Sequence, residues 1–342
     1  MIISKTPFRI SFFGGGTDYP VWYRESGGSV LSTTISRYCY ITCRYLPPFF
    51  DFKNRILWSK NEMVDDIADI EHPVVRTVLQ MMNVTEGVEI HHDGDLPSRA
   101  GLGSSSSFTV GMLNAINALQ GKMVSKEELA RDAIHVEQNL LKENVGVQDQ
   151  IAVAYGGLNR IDIFPDDSFS VRALHISARR RAELEDRMLL FYTGVSRSAS
   201  EIAGQKISAI PQKTATMERI RAMVDEAVDI LRGDGDINDF GRLLDEAWRQ
   251  KRSLSKAIAP KFIDDIYDRA TKAGATGGKL LGAGGGGFML FFVDPQHVES
   301  VLKALDDLLV VPIEMERHGS QIIFFEPDKY TRRSLRERDF VR

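Results

Sequence analysis

The sequence predicts an α+β protein of two domains, one over residues 1–185 and the other over residues 186–342. Three observations support this prediction. The 342 residues are about twice the length of an ordinary domain. Strand-like runs dominate the first third of the chain, whereas helical patterns dominate after residue 187. The charged residues 179–185 lie between these parts and fit either a linker or one exposed helical turn.

The elements of the N-terminal part follow from residue type and spacing. β-branched and aromatic residues predict strands at residues 30–35, 38–45 and 88–92. Apolar residues at helical spacing predict a helix over residues 104–119. Ser125 and Glu128 form a capping box, which opens a second helix that reaches residue 140. Two strands, 158–164 and 169–174, are joined by a proline–aspartate turn.

The C-terminal part begins with a predicted strand at residues 188–192. Helical patterns follow at 213–231, 238–254 and 262–273, and Gly274 is a C-cap for the last of them. The remaining elements are predicted as strand 279–281, a glycine run, strand 288–293, helix 296–308, and strands 310–316 and 322–326.

Composition and charge exclude several classes of protein. With 43% hydrophobic and 26% charged residues, the chain has the composition of a soluble globular protein. A net charge of −4 argues against a nucleic-acid partner. The longest apolar run, residues 288–293, is far shorter than a membrane helix, and residues 1–10 show no secretory signal. Cys39 and Cys43 lie too far apart along one strand for a disulfide, so we expect a reduced, cytoplasmic protein.

Two charged clusters are predicted to be solvated rather than functional. The first is acidic and lacks the spacing of a calcium loop; it comprises Glu62, Asp65, Asp66, Asp69 and Glu71. The second is the basic end of the chain, Arg332, Arg333, Arg336, Arg338 and Arg342, which is interleaved with acidic residues.

The middle one of three glycine-rich segments carries the strongest chemical signal. It runs from Leu96 to Ser107, follows a strand and opens the helix at 104–119. Its glycines allow close approach of the backbone to a ligand, and its serines present hydroxyls and free amides at a helix N-terminus, where anions bind. The segment predicts a polyphosphate site, although a serine N-cap after flexible glycines is the structural alternative. No Walker A motif occurs in the chain.

The other two segments are weaker signals by themselves. Residues 282–287 match G-x-G-x-x-G, but a strand follows them instead of the helix that a dinucleotide site requires. Five glycines among six favour close approach to a ligand over a simple hairpin. In the first segment Arg9 lies in a strand that leads into Gly14-Gly15-Gly16-Thr17-Asp18, so a cation and a carboxylate could share one pocket.

Taken in this order, the three segments resemble the GHMP kinase superfamily, and the Gly-Leu-Gly-Ser-Ser core at residues 101–105 is highly specific for it. The resemblance covers nearly the whole chain. It implies an N-terminal α/β domain of the type found in a ribosomal protein and a C-terminal ferredoxin-like domain. ATP and the acceptor would meet in the cleft between the two domains.

The resemblance also assigns roles to individual residues. Asp149 matches the catalytic aspartate and Arg9 the basic residue of the first motif, while Ser105 and Glu137 match the residues that bind Mg²⁺. Taken alone, Asp149 could be an N-cap and Glu137 a solvated helix residue. Whether Asp149 acts as a base or only orients the acceptor hydroxyl is left open. The predicted ATP-binding residues are Pro97, Gly101, Leu102, Gly103, Ser104, Ser105 and Ser106.

The nature of the acceptor is suggested by two further stretches. The motif at residues 14–18 resembles the sugar kinases of the superfamily, in which an aspartate accepts from sugar hydroxyls. Residues 6–18 and 192–202 resemble the bacterial D-glycero-D-manno-heptose 7-phosphate kinases, and Arg197 and Ser198 could grip an existing phosphate. A strand-to-helix turn with a surface arginine is the alternative. The predicted substrate-binding residues are Gly16, Thr17, Asp18, Arg197, Ser198, Gly284, Gly285 and Gly286.

The resemblance therefore implies an ATP- and Mg²⁺-dependent kinase that phosphorylates the anomeric hydroxyl of a heptose 7-phosphate in GDP-heptose biosynthesis. Two alternatives are kept: an anomeric kinase like the fucokinases and arabinokinases, and a ligand-binding protein of the same fold without catalysis. RNA binding is disfavoured by a pI near 6.0. A homodimer is left open, and neither a membrane nor a nucleic acid is an expected partner.

Overall fold

The structure, a computed structural model, describes residues 1–47, 49–98, 100–195, 204, 207–255 and 257–326. Within these residues nine strands form one sheet. They are β1 (Ile2–Phe13), β2 (Gly28–Tyr45), β3 (Asn54–Leu57), β4 (Asn61–Val64), β5 (Val88–Gly94), β6 (Leu158–Ile163), β7 (Phe169–Ala173), β12 (Met315–Glu316) and β13 (Gln321–Phe325). The second sheet, as far as it is described, contains β8 (Met188–Tyr192), β9 (Ala275–Leu280), β10 (Phe288–Val293) and β11 (Leu309–Val311).

The large sheet is organised around the long antiparallel pair of β1 and β2. Its main order is β13-β1-β2-β5-β3-β4, and β6 extends the sheet by pairing with both β2 and β7. The two strands predicted at 30–35 and 38–45 form the single strand β2, with a register shift opposite Pro7 and Phe8. A bulge of this kind bends a long strand without ending it, which is why the sequence pattern was interrupted there.

The helices pack against the two sheets. In the N-terminal part they are α1 (Pro20–Ser26), α2 (Pro73–Met81), α3 (Ser104–Leu119), α4 (Lys126–Ile134), α5 (Gln148–Tyr155) and α6 (Ala178–Glu185). In the C-terminal part, the described residues contain α7 (Thr214–Arg232), α8 (Asn238–Leu254), α9 (Lys261–Lys272) and α10 (Val298–Ala304). A π-helical segment, His135–Leu140, continues α4. Among these described helices, none has both the length and the apolar character needed to cross a membrane.

Helix α3 is the central helix of the large sheet and is buried along most of its length. It packs closely on β1, because a Cβ at Gly111 would lie only 2.8 Å from Thr6 Oγ1. The hydroxyl groups of Ser4 and Ser107 further join the helix to the strand, by donating to the carbonyls of Gly111 and Pro7. These contacts fix the N-terminus of α3, and therefore the glycine loop before it, relative to β1.

Most of the predicted elements are confirmed, including the capping box at Ser125 and the antiparallel pair of β6 and β7. Residues 179–185 belong to a helix with Arg180 and Leu184 buried, so they are not a linker. Cys39 and Cys43 are free and buried, as expected. The two short strands β3 and β4 and the helices α1 and α2 were not predicted.

Three sequence expectations need correction. The single strand predicted at 310–316 is divided into β11 and β12, which belong to different sheets. The strand predicted at 322–326 was assigned to the C-terminal domain, but β13 pairs with β1 in the large sheet, and β12 pairs with β2. The N-terminal sheet therefore draws strands from beyond residue 185. Within the acidic cluster, Glu62 is buried and not solvated, since its carboxylate accepts from Trp58 Nε1 and from the Glu71 amide.

Candidate active site

The middle and third glycine segments touch each other through their backbones. A Cβ at Gly101 would lie 2.5 Å from the Leu281 carbonyl oxygen, and a Cβ at Gly282 would lie 2.4 Å from Gly101 Cα. A Cβ at Gly287 would lie 2.3 Å from the Ala100 carbonyl oxygen. Side chains at these positions would force the loops apart, and all three glycines also have a positive φ. Part of the glycine content of the third segment is thus explained by packing against the middle loop.

A buried lysine holds the backbone of the third glycine segment in place. Lys251 of α8 is 6% exposed, and its Nζ donates to the carbonyls of Leu280 and Gly282 at 2.7 and 2.6 Å. Hydrogen bonds from a charged donor are among the stronger ones in proteins. Lys251 therefore fixes the backbone at the point where β9 enters the loop that contacts Gly101.

Arg9 and Asp149 form a bidentate ion pair beside the middle loop. Arg9 Nε donates to Asp149 Oδ1 at 2.7 Å, and Nη2 donates to Oδ2 at 2.6 Å. The remaining guanidinium nitrogen, Nη1, donates to the Gly101 carbonyl at 2.8 Å. The Arg9 side chain is 4% exposed and that of Asp149 is 26% exposed. The geometry fixes the carboxylate at the first turn of α5 and leaves part of it accessible.

Glu137 lies on the π-helical segment and is completely buried. Its Oε2 accepts from Ser106 Oγ at 3.0 Å and from Gln150 Nε2. Burial raises the pKa of Glu137 to about 7, although the nearby hydroxyl groups of Thr109 and Ser106 act in the opposite direction. Across the described residues, Glu137 Oε1 and Gln150 Oε1 are buried and have no hydrogen-bond partner.

These unpaired oxygens fit a small hard cation. Mg²⁺ prefers oxygen ligands and takes few carboxylates, because phosphate oxygens and water complete its shell. One carboxylate oxygen with no partner, beside a neutral amide oxygen and a serine hydroxyl, is such a donor set. Ser105 had been predicted as the serine of this set, but it is exposed on the first turn of α3, whereas Ser106 faces Glu137. Successive helical residues point about 100° apart, so only one of them can face inward here.

The other residues of the middle loop are placed as follows. Leu102 and Gly103 are buried, Ser104 is half-buried and Pro97 is exposed. The carbonyl of Leu102 accepts from the Arg9 amide at 3.0 Å, which joins the loop to β1. Their ATP-binding roles remain predictions.

The loop at residues 14–18 is closed by its own polar groups. The Thr17 hydroxyl donates to the Gly14 carbonyl at 2.8 Å and accepts from the Ser29 amide at 3.1 Å. Asp18 is 1% exposed, and its Oδ1 accepts from the Gly16 amide at 2.8 Å. Each of these groups therefore has a role within the loop, and the sugar-binding roles of Gly16, Thr17 and Asp18 remain predictions.

The remaining predicted substrate residues lie further along the chain. Arg197 and Ser198 fall outside the described residues. Gly284 packs on Ile258, since its Cβ would lie 2.8 Å from Ile258 Cα, and Gly286 approaches the carbonyl of Val195. The structure describes Gly285 in the same loop, with a φ of 78°. A substrate contact for these three glycines stays a prediction.

The buried lysines are not among the residues predicted from the sequence. Lys279 of β9 is 6% exposed, and its Nζ donates to the carbonyls of Ser11 and Phe12 at 2.9 and 2.7 Å. It joins the second sheet to the end of β1, just before the loop at 14–18. A lysine next to an apolar pair within a strand is an unusual core residue, and that signal was available in the sequence.

Comparison with known proteins gives consistent results. The family models described as GHMP kinases N terminal domain and GHMP kinases C terminal match residues 70–157 and 219–310. The chain is 30% identical to the D-glycero-alpha-D-manno-heptose 7-phosphate kinase of Campylobacter jejuni, over 89% of this chain and 93% of that protein. It is 27% identical to the L-fucokinase/L-fucose-1-P guanylyltransferase of Bacteroides fragilis, over 90% of this chain but 36% of that protein. A solved structure of a D-glycero-D-manno-heptose 1-phosphate kinase from Bacteroides thetaiotaomicron is similar with a TM-score of 0.76 and 25% identity, covering 95% of this chain and 100% of that one.

Proposed function

Because this chain belongs to the GHMP kinase family and has its two-domain fold, we propose that it is an ATP-dependent sugar kinase. The proposed acceptor is D-glycero-D-manno-heptose 7-phosphate, and the product is the 1,7-bisphosphate, on the way to a GDP-heptose. The observation that carries the proposal is the Arg9–Asp149 pair, because it places a fixed carboxylate and a cation directly beside Gly101 of the phosphate loop.

In the proposed reaction the anomeric oxygen forms a bond to the γ-phosphorus of ATP, and the bond from that phosphorus to ADP breaks. Phosphoryl transfer of this kind depends mainly on positioning and on neutralising charge. Asp149 accepts a hydrogen bond from the anomeric hydroxyl. The carboxylate thereby orients the anomeric oxygen and lies within reach of the hydroxyl proton. Arg9 holds the carboxylate through both of its oxygens and adds positive charge near the transferred group.

The phosphate groups of ATP are assigned to the loop at residues 101–106. The N-terminus of α3 lies there, and the helix dipole favours negative charge. Glu137 and Ser106 are proposed to hold Mg²⁺, whereas Ser105, which the resemblance implies, lies on the exposed side of α3. When bound, the ion would neutralise negative charge on the phosphate oxygens.

The choice of a heptose phosphate rests on the similarity to two relatives named as heptose phosphate kinases and on the motif at residues 14–18. Arg197 and Ser198 are assigned to the existing 7-phosphate on sequence resemblance alone. The Bacteroides fragilis relative supports a second candidate, an anomeric kinase for L-fucose. A ligand-binding protein without catalysis is less well supported, because Arg9, Glu137 and Asp149 all occupy one site.

A coupled ADP-release assay with MgATP tests the proposal. The acceptors are D-glycero-D-manno-heptose 7-phosphate, mannose, mannose 6-phosphate, L-fucose, galactose and mevalonate, and Asp149→Asn is the matched control. Selective turnover of the heptose phosphate, lost in the control, supports the proposal. Turnover of L-fucose alone would favour the second candidate, and nucleotide binding without any turnover would favour the non-catalytic protein.

A further inference from the structure

Two polar side chains outside the predicted set lie next to the Arg9–Asp149 pair. Ser11 follows Arg9 by two residues in β1, so both side chains lie on the same face of that strand, about 7 Å apart along it. Gln148 directly precedes Asp149 at the start of α5. Neither residue is among the site residues predicted from the sequence.

Gly15 brings Ser11 and Gln148 together. A Cβ at Gly15 would lie 3.4 Å from Ser11 Oγ and 3.6 Å from Gln148 Nε2, with no other described atom within 4 Å beyond the neighbouring residues. The space on this side of Gly15 is therefore bordered by two polar groups. Gly15 does not have a positive φ, so its backbone does not require glycine. The absence of a side chain at residue 15 leaves this space open.

The hydrogen-bonding capacity of these two side chains is not used within the described part of the chain. Ser11 Oγ and Gln148 Oε1 are both buried and lack a hydrogen-bond partner there. Ser11 is only 7% exposed, and leaving such a group without a hydrogen bond is unfavourable. Buried polar atoms without a hydrogen-bond partner are rare in folded proteins, so each of them needs a physical explanation. The Ser11 hydroxyl and the Gln148 carboxamide, which carry these atoms, both border the space beside Gly15, and this points to a polar ligand there.

The backbone around Ser11 is also held rigidly. Lys279 Nζ donates to the carbonyls of Ser11 and Phe12, so a charged group of the second sheet fixes the end of β1. Precise placement of a binding group by its surroundings is what a specific site requires. A serine hydroxyl and a carboxamide can each donate and accept, which matches a sugar hydroxyl that does both.

We infer that Ser11 and Gln148 form an acceptor subsite across Gly15, which binds the sugar hydroxyl next to the one that Asp149 orients. This inference rests on the proposed function, since it needs a sugar acceptor whose reacting oxygen lies at Asp149. If that oxygen is anomeric, the neighbouring hydroxyl is the one on carbon 2. The subsite then determines specificity, while Asp149 and Arg9 serve the transfer itself.

The variants Ser11→Ala and Gln148→Met test the subsite, with D-glycero-D-manno-heptose 7-phosphate and its 2-deoxy analogue as probes. Each variant is expected to raise the KM for the heptose phosphate about 3- to 10-fold, the effect of one lost hydrogen bond, and to leave the KM for ATP unchanged. Both variants should also lose the preference of the unmodified enzyme for the 2-hydroxyl. A structural role alone would not change that preference.

Gly15→Ala is the sharper variant, because its methyl group would make ordinary contacts with Ser11 Oγ and Gln148 Nε2 in the free protein. We expect unchanged thermal stability and at least a tenfold higher KM for the acceptor. Normal acceptor KM in all three variants, with an active parent enzyme, would overturn the subsite and leave the proposed function standing. If the parent uses another sugar of the panel, the same comparison is made with that sugar and its matching deoxy analogue. If it uses none, the proposed function fails and the subsite fails with it.

Discussion

Replacement of Glu137 by glutamine should stabilise the protein at neutral and alkaline pH while removing its kinase activity. Burial raises the pKa of Glu137 from 4.5 to about 7. The unfolded chain releases this proton near pH 4.5, whereas the folded chain holds it until about pH 7. The free energy of unfolding therefore falls as the pH rises through this window.

The size of the effect follows from the same pKa difference. One pKa unit corresponds to about 1.4 kcal/mol, so an ionised Glu137 costs about 3 kcal/mol of stability above pH 7. Glutamine has nearly the same shape and no charge, so Glu137→Gln should recover much of this energy at pH 8 and little at pH 4.5. In thermal unfolding this corresponds to about 4 °C for a chain of this length.

The assay is thermal or urea unfolding of both proteins between pH 4.5 and pH 8, without nucleotide or magnesium. Glu218→Gln, which removes the charge of an exposed glutamate of α7, is the matched control. A difference between Glu137→Gln and the parent that is the same at all pH values would refute the reasoning. Loss of ADP release in a variant that is more stable would separate the functional role of Glu137 from folding.

Three further predictions concern the residues that hold the site together. Arg9→Lys should lower kcat about 100-fold with little change in acceptor KM, because lysine cannot hold Asp149 through both oxygens. ADP-release kinetics measure this effect, and an unchanged kcat would contradict it. Lys251→Met should lower the free energy of unfolding by about 2–3 kcal/mol in urea titrations, since the carbonyls of Leu280 and Gly282 lose a charged donor. A change smaller than the error of the titration would be evidence against the stabilising role of Lys251. Gly101→Ala should destabilise the protein by about 2 kcal/mol or more and abolish ADP release. The φ at residue 101 is positive, and a Cβ there would meet the Leu281 carbonyl. Normal activity of the variant would show that the two loops do not need this contact.

Local chemistry made the phosphate loop and its helix predictable from the sequence. The glycines and serines at residues 101–107 and the apolar spacing after them specify a loop that opens a helix, and α3 begins at Ser104 as predicted. The pairing of Arg9 with Asp149 needed the family resemblance, because 140 residues separate the two and no local pattern joins them.

Long-range packing made other features unpredictable. A five-residue strand such as β13 can pair with any open sheet edge, and only the assembled fold decides that it pairs with β1. The choice between Ser105 and Ser106 beside Glu137 depends on the rotation of α3 against the π-helical segment, which is set by tertiary contacts. Lys251 and Lys279 are exceptions to the rule that lysines are exposed, and backbone carbonyls of distant segments keep them buried.

Phosphorus NMR of the reaction product tests the central claim most directly. The enzyme, MgATP and D-glycero-D-manno-heptose 7-phosphate are incubated together, and the spectrum is compared with that of an Asp149→Asn reaction. The account predicts a new anomeric phosphate signal beside the retained 7-phosphate signal, with ADP formed in equal amount, and no new signal in the variant. A phosphate on any other carbon, or an unchanged product in the Asp149→Asn reaction, would contradict it.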